Sequence, residues 1–270
     1  MSDESIAFDG SIPAIYDRCL GPFIFEPYAR ELPARLALTP GARVLELACG
    51  TGRVTRHLLA ALPDGATLMA TDLSTAMLSQ AQQALGPDLR VGWREADATA
   101  LPFANGSFDA VACQFGIMFF PDKALGLREV HRVLAPGGRM AVSVWDSRES
   151  NPFAAESARV VHQFFPVDPP AFYDIPFAMH DRPALKALAE GAGFTEVRVT
   201  ALPMVGESAT ALDAATGFVR GNPLVTALAE RGADPEAIVT AMAAAFREKF
   251  GDNPMRSPMQ AIMITGRRAA

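Results

Sequence analysis

The chain has 270 residues, half of them apolar, with 24 basic and 30 acidic side chains and a net charge of −6. That length buries a sizeable core, which favours one domain with an inserted or appended cap over two independent domains. An acidic balance with no run of Lys or Arg argues against nucleic acid as a partner, and Cys19, Cys49 and Cys113 offer neither a disulfide framework nor a zinc spacing.

Beyond an N-terminal stretch carrying Tyr16 and Tyr28, Arg43 to Ala48 reads as a buried strand, because Val44, Leu45 and Leu47 form a short apolar run ending at Gly50 and Gly52. Val54, Leu58 and Leu62 then recur at helical spacing. A strand, a glycine turn and a helix N-terminus aim backbone N–H groups and the positive end of a helix dipole into one crevice. That suits a ligand with negative or acceptor groups. The dinucleotide fingerprint G-x-G-x-x-G requires a third small residue, and Thr55 stands there instead, which weakens a pyrophosphate reading and a nicotinamide oxidoreductase with it. Attention moves to Glu46, the acid of "ELACGTG". A carboxylate at that strand end can orient water or an ammonium group over the turn, while Gly50 and Gly52 let the backbone approach a ribose and an amino-acid tail.

"ATLMATD" is a second strand ending in Asp72, and Ser74 caps a helix with Met77, Leu78, Ala81, Ala84 and Leu85 on one face. Asp72 follows Gly52 by 20 residues at a strand's carboxyl end, where an acid accepts hydrogen bonds from both ribose hydroxyls. "LRVGWREAD" and "FDAVACQF" read as further strands, "DKALGLREVHRVL" as a helix stopped by Pro136, Gly137 and Gly138, and "RMAVSVW" as another strand. Asp181 caps "RPALKALAEGAG", "FTEVRVTALP" follows, and "PMQAIMITGRR" is a last strand. Such alternation implies a doubly wound α/β sheet, mostly parallel and covered on both faces. A helical face of Ile238, Met242, Phe246 and Phe250 belongs largely to a core.

The E-x-A-x-G-x-G turn, with Asp72 after the second strand, resembles the class I S-adenosylmethionine-dependent methyltransferases. The likeness is greatest to their ubiquinone/menaquinone-biosynthesis-like small-molecule branch, and Ala48 stands where that family usually has glycine. The resemblance is specific from the motif to about Trp145 and weaker beyond. It implies a Rossmann-like, seven-stranded sheet whose seventh strand is antiparallel, and S-adenosyl-L-methionine as cofactor with S-adenosyl-L-homocysteine as product. The activity it implies is methyl transfer to O, N or C of a small, largely apolar or aromatic metabolite. A fold relative with non-methylating chemistry is the alternative.

By the same resemblance the segments divide into lid helices over 1–40, a cofactor-binding core over 41–146, a cap insertion over 147–180, core again over 181–203, a helical cap over 204–257 and a final core strand over 258–270. Asp97 and the amide of Ala98 meet the adenine, Gln114 stands where donor and acceptor meet, and Tyr16 closes over the cofactor. Glu46, Ala48, Gly50, Gly52, Asp72, Leu73 and Met77 complete the cofactor set. Arg53 either meets the cofactor carboxylate or is a solvated helix-start arginine. Phe115, Phe119, Phe164, Phe165, Phe172, Tyr173 and Phe177 fall in or beside the segments expected to face the acceptor. His162 and His180 are the candidate general bases there; His57 and His131 have surface or packing roles. No metal site is expected. "MSDESIAFDG" lacks a signal-type apolar segment and no apolar run reaches about 18 residues, so a cytoplasmic protein without a membrane span is expected. A homodimer is left open.

Overall fold

The computed structural model describes residues 10–170, 172 and 174–270; Tyr173 lies outside the described residues. The first half of the chain runs α1 (Ile12–Ile15), a π-helical stretch Tyr16–Phe25, α2 (Glu26–Glu31), a 3-10 turn Leu32–Arg35, β1 (Arg43–Glu46), α3 (Arg53–Ala61), β2 (Thr67–Asp72), α4 (Thr75–Leu85), β3 (Val91–Glu95) and β4 (Phe108–Gln114). A 3-10 turn Ile117–Phe119 leads to α5 (Lys123–Val133), β5 (Leu134–Trp145) and α6 (Pro152–Phe164). After a 3-10 turn Ile175–Phe177 come α7 (Arg182–Gly191), β6 (Thr195–Ser208), α8 (Ala211–Arg220), α9 (Leu224–Glu230), α10 (Pro235–Phe250) and β7 (Met255–Arg267).

The seven strands form one sheet in the order β3-β2-β1-β4-β5-β7-β6. β1 pairs in parallel with β2 and β4, β2 with β3 and β4 with β5, whereas β7 lies antiparallel to β5. The sheet is the doubly wound, mostly parallel seven-stranded architecture implied by the alternation and the resemblance. Both faces are dry. Leu45, Leu47, Val111, Val142 and Ile262 pack against Leu127 and Val130 of α5 and Leu185 of α7. On the opposite face Val44, Ala112, Ala141 and Met263 meet Ala29, Leu32 and Leu36, together with Val54 and Leu58 of α3.

Chain contacts group Tyr28–Ser147, Ile175–Pro203 and Gln260–Ala270 into one compact unit, built on the sheet. Residues 28–40, placed by sequence with the lid, fall in this unit. The second unit comprises the residues up to Pro27, Arg148–Asp174 and Met204–Met259. Its core is aromatic: Phe153 and Phe218 stack at 5.4 Å, while Phe23 and Phe246 meet Phe218 edge-on at 6.1 and 5.9 Å. Ile238, Met242 and Phe246 of α10 are buried, as their spacing anticipates.

Some local expectations are corrected. Pro136, Gly137 and Gly138 do not separate α5 from the next strand. β5 starts at Leu134, paired with Phe108, and the register then jumps to Ala110 opposite Arg139, so the Pro-Gly-Gly segment is taken up as an irregularity inside the strand. On α4, Met77, Leu78 and Ala81 are buried but Ala84 is exposed, because the packed stripe is narrower than the apolar pattern. β6 and β7 both extend beyond the apolar segments that announced them, into more polar sequence.

Candidate functional site

Strand register builds one row of side chains. Glu46 on β1 lies opposite Ala70 on β2 and Ala112 on β4, so Asp72 and Gln114, each two residues further on, share its face. The row lies at the carboxyl ends of the parallel strands, where open α/β sheets bind ligands. Beyond β1 the backbone turns sharply, with positive φ at Ala48 (50°), Gly50 (56°) and Gly52 (82°). Gly52 is the N-cap of α3, and the N–H groups of that helix's first turn face the same end.

Two glycines answer different demands. A Cβ on Gly50 would meet nothing within 4 Å, so the turn leaves open space above it. A Cβ on Gly52 would lie 2.6 Å from Leu85 Cδ1 and 3.1 Å from Ala81 Cβ, so this glycine lets α3 approach α4.

Asp72 is locked in place. Its Oδ2 accepts from the Gly50 N–H at 2.8 Å and its Oδ1 from the Ser74 N–H at 2.9 Å. The carboxylate thus joins the tip of β2 to the glycine turn and the start of α4, whose N-cap Ser74 accepts from the Met77 N–H at 3.2 Å. Desolvation pushes the Asp72 pKa up, and the backbone hydrogen bonds only partly offset it.

Glu46 is the more perturbed acid. It is 1% exposed, and burial, opposed only weakly by the Thr55 hydroxyl and reinforced by Asp72, raises its pKa to about 8. Glu46 Oε2 is buried and, among the described residues, has no partner in hydrogen-bond geometry. Buried oxygens left without partners mark a place where a ligand or water completes the bonding. Cys49 and Cys113 are buried thiols whose pKa values desolvation and these acids raise, Cys113 to about 12, so neither is a ready nucleophile.

The other candidates divide by unit. Arg53 opens α3, Leu73 is exposed, and Met77 is buried within α4. Asp97 follows β3; its Oδ1 accepts from both the N–H and the hydroxyl of Thr99 at 2.7 Å, and Ala98 packs against the core. The Ala96 N–H donates to the Asp72 carbonyl at 3.0 Å, tying this loop to the tip of β2. Tyr16 belongs to the helical unit, stacked on Phe25 at 4.8 Å, and His162 is exposed at the end of α6. His180 belongs to the sheet unit, exposed, with Nδ1 2.9 Å from the Phe177 carbonyl. Of the acceptor-side aromatics, Phe115 and Phe177 are buried and Phe164 is exposed.

Sequence reasoning missed Tyr28 and Ser143. Tyr28 sits among apolar N-terminal residues that read as ordinary core, and Ser143 sits in "AVSVW", where a small polar residue reads as strand filler. The available signal was register, which places Ser143 opposite Gln114.

Sheet order, an antiparallel seventh strand and a glycine turn bonded to an acid at the tip of β2 define the Rossmann-like class that binds nucleoside-bearing cofactors. The methyltransferase domain family matches residues 44–138. A demethylmenaquinone methyltransferase of Mycobacterium sp. strain KMS is 35% identical over 181 residues, covering 63% of this chain and 75% of that one. An uncharacterized Mycobacterium bovis protein is 38% identical over 123 residues, 45% of this chain, and the chain spans only 44% of that relative's length. In fold it is similar to Haemonchus contortus phosphoethanolamine N-methyltransferase 2, with a TM-score of 0.62 at 17% identity, covering 96% of this chain and 57% of that one. The chain belongs to the class I S-adenosylmethionine-dependent methyltransferases of the ubiquinone/menaquinone type. Among the described residues no helix is long and apolar enough to cross a membrane.

Proposed function

We propose that this protein transfers the methyl group of S-adenosylmethionine to a small, largely apolar or aromatic acceptor in the cytoplasm. The observation that carries the reading is Asp72, a desolvated carboxylate bonded to the Gly50 and Ser74 amides beside a turn with open space above Gly50. In this reading Asp72 accepts from the ribose hydroxyls, and the turn from Glu46 through Arg53 holds the amino-acid tail. Asp97 and the Ala98 amide meet the adenine, and Leu73 and Met77 flank the nucleoside.

The bound cofactor supplies an electrophilic methyl group on a sulfonium. The protein's own residues hold and orient it and keep water out, since a neutral thioether leaves without acid catalysis. Relatives named demethylmenaquinone methyltransferases support an acceptor of that class. On this reading the turn from Glu46 through Arg53, with Asp72, would hold the sulfonium cofactor as methyl donor, the acceptor atom's electron pair would take up the methyl group, and any proton that atom loses would pass to water. Gln114 stands at the end of β4 on the row shared with Glu46 and Ser143, a position that suits contact with the acceptor.

Calorimetry with S-adenosylmethionine, S-adenosylhomocysteine and NAD, followed by label transfer from methyl-labelled cofactor to reduced 1,4-naphthoquinone, tests the reading. The sulfonium cofactor and its product bind and NAD does not; tight NAD binding without a response to either overturns the assignment. Cofactor binding with no S-adenosylhomocysteine formed from any acceptor favours a non-methylating enzyme of the same fold. Asp72→Ala keeps the fold and weakens cofactor binding by about 2–4 kcal/mol, two charged hydrogen bonds less partial rescue by water.

A further inference from the structure

Ser143 lies on β5 opposite Gln114 of β4, and therefore on the same sheet face as Glu46 and Asp72. It is completely buried, and among the described residues its Oγ has no hydrogen-bond partner. An enclosed hydroxyl without a partner weakens a fold unless something else bonds to it.

Its cross-strand neighbours are Gln114 on β4 and Met263 on β7, and a cluster of aromatic rings starts at the residues that follow. The Phe115 N–H donates to the Ser143 carbonyl at 2.9 Å, and the Phe115 ring stacks flat on Trp145, two residues further along β5, at 4.0 Å and 6°. Tyr28 meets both rings edge-on at 5.4 and 5.5 Å, and its own hydroxyl donates to the Leu202 carbonyl, so it leaves Ser143 unserved. Phe115 holds φ at +54°, a left-handed backbone that a bulky side chain adopts only when its surroundings force it, and such residues gather at ligand sites.

We infer that the Ser143 hydroxyl is an acceptor-binding group that exchanges a hydrogen bond with the hydroxyl of a planar aromatic acceptor, whose ring takes up a position against Phe115 and Trp145. This rests on the methyltransferase reading for the word acceptor, but the binding chemistry stands on the buried oxygen and the rings. Ser143 is fully buried, so an acceptor reaches its hydroxyl only when a neighbouring side chain moves. Phe115 is the one whose movement releases backbone strain. The inference narrows the ligand class: a flat apolar ring carrying at least one hydroxyl is preferred over the same ring without it.

Two probes that differ by that single hydroxyl, 1-naphthol and naphthalene, isolate the contact. Their affinities for the wild type and for Ser143→Ala are measured by equilibrium dialysis with saturating S-adenosylhomocysteine and again without it, and each variant's melting temperature is taken ligand-free. The wild type prefers 1-naphthol about tenfold, the scale of one buried hydrogen bond. Ser143→Ala loses that preference, binds naphthalene as before and melts no lower than the wild type. An equal preference in both proteins, binding of neither probe by the wild type, or a variant that melts lower and weakens both probes alike overturns the inference. Failure of S-adenosylhomocysteine to bind counts against the cofactor reading alone, because the dialysis without cofactor still compares the two probes.

Discussion

Ala48 and Gly116 make a reciprocal pair. Ala48 holds φ at +50°, where its Cβ costs roughly 1–2 kcal/mol that glycine would avoid, and this methyl group lies where Gly116 would carry a Cβ: the two would be 2.5 Å apart, with Cys113 Sγ at 2.8 Å. The alanine in the glycine turn is therefore accommodated by a glycine after β4. Gly116→Ala destabilises the protein by about 1–3 kcal/mol through overpacking, and adding Ala48→Gly recovers part of that loss. Denaturant melts of the two single variants and the double variant measure the coupling; strict additivity would refute the contact. The histidines behave differently. His162 and His180 are both exposed, and under the proposed reading methyl transfer relies on positioning rather than on a dedicated base. Each replacement by Gln lowers turnover less than tenfold at saturating cofactor, whereas loss of a general base costs about 10²–10⁴-fold. A hundredfold fall for either, with cofactor affinity intact, would assign a base and favour methylation at oxygen.

The elements differ in how openly the sequence declares them. β1, β2, β4 and α3 were legible because buried parallel strands are continuous apolar runs and the glycine turn punctuates them. The caps Ser74 and Asp181 were legible too, and each accepts from the amide three residues on. The start of β5 was not, since Pro136 and the two glycines are turn residues that only the register jump against β4 turns into an irregularity within a strand. The row of side chains at the strand ends was readable in part: Glu46 and Asp72 stand out as acids at strand ends, whereas Ser143 acquires meaning only once β5 is paired with β4. The helical unit repeats the lesson. α10 announced an apolar face, but its closeness to Phe153, Phe218 and Phe23 comes from segments far apart in the chain. Phe246 is fully buried and meets Phe218 at 5.9 Å and Phe250 at 5.8 Å. Phe246→Ala costs about 3–5 kcal/mol, while Phe250, only partly buried, costs less on truncation. Chemical denaturation ranks the two, and an equal loss would mean that α10 packs by a different face.

For the whole molecule the buried acids set a pH dependence opposite to the usual stabilising carboxylate. Glu46 has its folded pKa raised to about 8 by desolvation, and Asp72 is displaced in the same direction for the same reason. The unfolded chain releases the Glu46 proton near the ordinary carboxylate value while the folded protein retains it. Stability from this group is therefore complete below about pH 4.5 and is lost as pH rises toward 8, by up to about 4–5 kcal/mol. Glu46→Gln, which cannot ionise, flattens that slope in melts between pH 5 and 9 and leaves the variant more stable than the wild type at the alkaline end. Glu46 Oε2, without a hydrogen-bond partner among the described residues, gives the proton a functional consequence under the proposed reading, because a cationic cofactor favours the carboxylate that burial disfavours. S-adenosylmethionine then binds more tightly as pH rises from 6 to 8 and releases a proton on binding. Calorimetry in buffers of different ionisation enthalpy detects that release in the wild type and none in Glu46→Gln. Proton release of the same size in both proteins would place the titrating group elsewhere and leave Glu46 with a purely structural role.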